Sequence, residues 1–162
     1  MIIQQIKNTL DKLGLNHNVI CEKESQTVIN LKMQLDSTNS DCYIDIRHPF
    51  QQLIIRSISS SIVPEHKRFL IAEFIARVNS ICRIGNFELD METGSFEYKC
   101  SYIYDESAPK SESIFTDNLE YTFNALNKFF PGIILVTLET ISPTSCGSVP
   151  PLVSHKTIHL AP

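Results

Sequence analysis

The stretch from Phe87 to Tyr102 constrains the fold more than any other part of the chain. Phe87, Leu89 and Met91 alternate with Glu88, Asp90 and Glu92; beyond Thr93-Gly94, Phe96, Tyr98, Cys100 and Tyr102 alternate with Ser95, Glu97, Lys99 and Ser101. A period of two with one apolar side is the pattern of half-buried strands, and the turn between the runs makes them a hairpin. The same pattern fixes the register. Pairing Leu89 with Phe96 and Phe87 with Tyr98 keeps the large apolar groups on one face, whereas a slip of one residue sets Glu97 against Leu89. Gly94 is expected to supply the positive φ of the turn.

Upstream, Ile2, Ile3, Ile6, Leu10 and Leu13 recur at helical spacing, so Ile2–Leu13 reads as an amphipathic helix capped by Gly14. Thr27–Leu35, Cys42–Arg47 and Gln52–Ile58 then read as an antiparallel meander, the last two joined by a turn at His48-Pro49-Phe50. Asn18–Glu22 admits a further short strand. After Ser59-Ser60-Ser61, Pro64 suits the first turn of a helix and Glu65 its positive end. That helix, to about Cys82, is apolar nearly all round, leaving His66, Glu73, Arg77 and Ser80 as a narrow polar stripe. A helix of that kind must be covered on more than one side, inside the fold or at a subunit interface.

Downstream of the hairpin, Asp105–Ser113 is a polar loop. A helix from Ile114 shows Leu119, Phe123, Leu126 and Phe130 on one side and runs up to Pro131-Gly132. Ile133–Ile141 fits a strand by its β-branched residues and a helical face by its spacing. Residues 142–162 form a Pro-rich irregular tail, so residues 1–141 are expected to be a single α+β domain.

Certain chemistries find little support. The net charge is −4 and the 14 basic residues are scattered, which disfavours nucleic acid as a partner. No apolar run is long enough to span a membrane. The five cysteines lack C-x-x-C spacing, and together with the polar N-terminal stretch they suggest reduced, largely buried thiols in a cytoplasmic protein. Glu88, Asp90 and Glu92 share one strand face, as a hard cation would want, but that spacing is also that of a solvated outer face. His155 and His159 have H-x-x-x-H spacing without the Glu and third ligand of a zinc site. Cys146 has no neighbouring cation to activate it. No catalytic residue, metal site or cofactor is therefore expected.

Three segments taken together carry a resemblance: Val63-Pro64-Glu65-His66-Lys67-Arg68, Glu73-Phe74-Ile75-Ala76-Arg77-Val78-Asn79, and Ile84-Gly85-Asn86-Phe87-Glu88-Leu89-Asp90. With Gly94, Glu97-Tyr98-Lys99 and Phe130-Pro131-Gly132-Ile133, the chain resembles the YbjN-like family of bacterial sensory transduction regulators over roughly residues 41–141. It departs from that family's pattern at Ser80-Ile81 and at Ser95. The resemblance implies a fold like that of class I type III secretion chaperones: an antiparallel sheet, meander plus hairpin, packed by helices and often dimeric. It also implies that Ile133–Ile141 is helical. Pro64, Arg77, Asn79, Gly85, Asn86, Phe87, Glu88, Asp90, Gly94, Tyr98, Lys99, Pro131 and Gly132 are the motif positions expected to carry structure or binding. The expected function is a non-catalytic protein-binding regulator or chaperone-like module, homodimeric, with an unidentified protein partner. The alternative is a small-molecule sensor with a pocket between helix and sheet.

Overall fold

The computed structural model describes residues 2–36, 39–105, 107 and 111–138. It is an α+β fold: a six-stranded, wholly antiparallel sheet with three α-helices. Helix α1 (Ile2–Lys12) buries Ile2, Ile6 and Leu10. It ends in a Schellman turn: Gly14, at φ +67°, donates to the Asp11 carbonyl, and Leu15 donates to that of Leu10. The chain then lays down β1 (His17–Lys23), β2 (Gln26–Gln34), β3 (Asn39–Arg47) and β4 (Gln52–Ile62). Helix α2 (Arg68–Asn79) leads to β5 (Asn86–Leu89) and β6 (Ser95–Ile103), and α3 (Ser111–Thr137) closes the described chain.

The sheet order is β1-β2-β3-β4-β6-β5, so the hairpin joins the meander through its second strand. Alternation then aligns the core in rows across the strands. Ile29, Ile44, Ile55 and Cys100 form one row; Leu31, Cys42, Ser57, Tyr98 and Phe87 form the next. These join the buried residues of all three helices in one apolar cluster. The opposite face carries Asn30, Tyr43, Arg56 and Lys99, all partly exposed.

The hairpin register has Phe87 opposite Tyr98 and Leu89 opposite Phe96, as the alternation requires. Other boundaries differ from the sequence reading. Strand β1 is a full strand of seven residues, giving six strands where meander plus hairpin implied five. Strand β4 continues to Ile62 across an irregularity after Ile58, because Ile62 pairs with Ser95. Pro64 caps a single 3-10 turn (Glu65–Lys67) ahead of α2, and α2 stops at Asn79 rather than Cys82. Strand β5 stops at Leu89, leaving Met91 exposed in the turn. The largest difference is in α3, which does not end at Pro131-Gly132 but runs through both to Thr137. Phe129, Phe130, Ile133 and Val136 are all buried on it, and that burial outweighs the roughly 3 kcal/mol cost of an internal proline. Residues 133–137 are thus helical. Residues 139–141, the tail, Cys146, His155 and His159 lie outside the described residues.

Candidate functional site

Most motif positions meet at one corner, where α2, the β5–β6 hairpin and the end of β4 come together. Asn79 is the fastener. Its side-chain carbonyl accepts the Phe87 N–H at 2.8 Å, and its amide donates to the Phe87 carbonyl at 2.9 Å. These bonds satisfy the outward-facing backbone groups of Phe87, as a neighbouring strand would otherwise do at that residue. Tyr98 donates its hydroxyl to the Ile84 carbonyl, and burial raises its pKa so that it stays a neutral donor. Gly85 (φ +69°) lies under that phenol; a Cβ there would be 2.6 Å from the Tyr98 oxygen. Gly94 (φ +76°) approaches the Val63 carbonyl so closely that a Cβ would lie 2.1 Å from it. Arg68 ties the same corner by donating to the carbonyls of Val63, Met91 and Glu92. Gly132 serves the α2–α3 crossing, where a Cβ would be 2.7 Å from the Phe74 ring; Pro131 precedes it.

The remaining motif positions lie nearer the surface. Asp90 and Glu92 are not on the strand face with Glu88 but in the turn, where the Asp90 carboxylate accepts the backbone N–H groups of Glu92 and Thr93. Those bonds, that from Thr93 foremost, hold its pKa below the ordinary value. Arg77 pairs with Glu73 at 2.6 Å on exposed α2. Glu88 meets Lys99 at 2.6 Å and accepts from the Asn86 amide at 3.1 Å. The Lys99 hydrogen bond is the largest cause holding the Glu88 carboxyl below its ordinary value of 4.5. A carboxyl lowered on folding stabilises fully above its unfolded pKa and loses that contribution as pH falls through the folded one. Glu88→Gln should therefore flatten the fall of melting temperature between about pH 5 and about pH 3 and change little at pH 7.

The chemistry available is modest. Burial pushes the Cys42 thiol up to about 12 and that of Cys100, which donates to Asn118 Oδ1, to about 11. Both are core groups. Cys21 and Cys82 are half-exposed, so only two of the four described cysteines are fully buried. Among the described residues no three His, Cys, Asp or Glu side chains are grouped to hold a metal. No described helix is long and apolar enough to cross a membrane. A shallow depression lies at the β1–β2 turn, lined by Lys23, Glu24, Ser25, His48 and Pro49. On the helix side, the Tyr102 hydroxyl is buried without a hydrogen-bond partner among the described residues.

Two surfaces stand out. The first is β1, whose sole strand neighbour among the described residues is β2. It is bulged between Val19 and Cys21, and Ile20 is 58% exposed there. The other sheet edge, β5, is closed by α2 and Asn79. The second is the outer face of α2, where Phe69 is 81% exposed, with Ile62 at 64% on the adjoining end of β4. The signals were present: Val19-Ile20-Cys21 and Phe69-Leu70-Ile71 are unbroken apolar runs, longer than one buried face absorbs.

No family model and no curated protein matches the chain. Among solved structures, YbjN from E. coli, described as a proposed transcription regulator, superposes with a TM-score of 0.57 at 14% sequence identity. The match covers 82% of this chain and 95% of that one. With its six-stranded antiparallel sheet and three helices, the chain has the fold of YbjN.

Proposed function

We propose that the chain is a non-catalytic regulatory module that works as a homodimer and binds a protein partner along its open sheet edge. The observation that carries this reading is the asymmetry of the edges: on β5 the outward backbone groups of Phe87 are taken up by Asn79 beneath α2, while the outer side of β1 has no strand neighbour among the described residues and Ile20 is exposed there. An extended segment adding to β1 gains main-chain hydrogen bonds, with Val19 and Ile20 supplying apolar contacts. The fold shared with YbjN, itself described as a proposed regulator, agrees with a binding role.

The test is affinity purification of tagged protein from its native cells, run in parallel with Ile20→Pro. Proline at an edge removes a backbone donor and obstructs strand addition while leaving the sheet interior untouched. A stoichiometric partner recovered by the wild type and lost in the variant is the expected result. Recovery of no protein, or equal recovery by both, would overturn the reading. The small-molecule alternative has one observation in its favour, the buried Tyr102 hydroxyl that has no hydrogen-bond partner among the described residues. A metabolite that raises the melting temperature of the wild type but not of Tyr102→Phe would shift the assignment to a sensor.

A further inference from the structure

The outer side of β1 has no strand neighbour among the described residues, and Val19 and Ile20 are exposed along it. An apolar edge of that kind is a liability that folds cover with another piece of chain. The sequence supplies a candidate cover beyond the described residues. Residues 142–151 contain Pro143, Gly147, Pro150 and Pro151 among serines and threonine, the composition of a linker. Residues 152–160 contain neither proline nor glycine. They are rich instead in apolar and β-branched types, Leu152, Val153, Thr157, Ile158 and Leu160, the composition of a strand.

We propose that residues 152–160 add to β1 of the same copy as an antiparallel strand and hold that edge until a partner displaces them; this rests on the edge-binding reading above. The distance allows it. Phe129 and Phe130 pack on Phe87 and Phe96, so the C-terminal part of α3 lies over the hairpin side of the sheet. Five strand spacings, about 24 Å, and one layer of about 10 Å separate that side from β1. The linker from Leu138, the last described residue, to Leu152 spans up to about 46 Å when extended. Charge favours the same seat. All 18 acidic residues precede residue 142, whereas residues 152–160 carry Lys156 and no acid. An antiparallel register that sets Ile158 beside exposed Ile20 brings Lys156 level with exposed Glu22. The same register brings Thr157 level with the half-exposed Cys21 and carries Leu152 past the end of β1.

Cys21 makes the register testable in the full chain. Under diamide, Thr157→Cys should cross-link to Cys21 within one copy at least about tenfold faster than Leu152→Cys, because pairing holds the two sulfurs at bonding separation. Peptide mapping separates this bond from any made by Cys146. Ile158→Pro removes a donor and an apolar contact from the segment. It should speed exchange of the outward-facing amides of residues 17–23 at least about tenfold and raise recovery of the captured partner. Equal cross-linking by the two cysteine variants, bonds formed only between copies, or unchanged exchange in Ile158→Pro would each overturn this inference. The edge-binding reading would still stand if the wild type captured a partner that Ile20→Pro lost. Faster exchange in Ile158→Pro with no partner captured by any variant would overturn that reading and the displacement with it, leaving the segment a fixed cover.

Discussion

Gly94→Ala should cost about 3–5 kcal/mol of folding stability, the sum of left-handed backbone strain and a contact that cannot relax. The residue sits at φ +76°, and the added methyl would lie 2.1 Å from the Val63 carbonyl. That carbonyl belongs to backbone whose own N–H donates to Gly94 at 2.8 Å, so the two segments are held together. Gly14 provides the control. It shares the positive φ, at +67°, but nothing lies within 4 Å of its would-be Cβ. Gly14→Ala should therefore cost only the conformational part, about 1–2 kcal/mol. Urea unfolding of the two variants separates the terms. Equal losses would mean that close packing at the β4–hairpin corner contributes nothing.

Asn79→Ala should destabilise by about 2–4 kcal/mol, because two backbone groups of Phe87 lose their partners together. Hydrogen exchange gives a sharper readout than stability alone: the Phe87 amide should be protected in the wild type and exchange freely in the variant. Asn79→Asp should not rescue, since a carboxylate can accept the Phe87 N–H but opposes the Phe87 carbonyl. Asn86→Ala, seven residues on, removes only a 3.1 Å bond to Glu88 near the surface, and should change stability by no more than about 0.5 kcal/mol. A large loss at Asn86 with a small one at Asn79 would reverse the assignment of which asparagine holds the corner.

The hairpin was legible because its alternation spans both arms and leaves a single register that buries Phe87, Phe96 and Tyr98, with Leu89 packed beside them, on one side. The roles of Gly85 and Gly132 were visible only as motif letters. Their reasons lie in approaches between residues distant along the chain, such as Gly132 against the Phe74 ring, which no local pattern encodes. The continuation of α3 through Pro131 was obscured for a related reason. A proline is a stop signal locally, and the burial of Ile133 and Val136 that overrides it is a tertiary fact. The reading of α2 as apolar around its girth was sound as chemistry, and what it lacked was the direction each residue faces. With that direction known, Phe69, Leu70 and Ile81 stand on the solvent side beside the Glu73–Arg77 pair.

The sealing of β5 by Asn79 also bears on how far these sheets can grow. A sheet with two open edges can recruit copies at both and propagate as a fibre; one with a single open edge has its growth terminated by the first copy that joins. Asn79, with α2 packed beside it, would thereby block edge-to-edge growth on the β5 side. Under the proposed edge-binding role, β1 would take up a partner strand while the β5 side of the same copy would not extend the sheet.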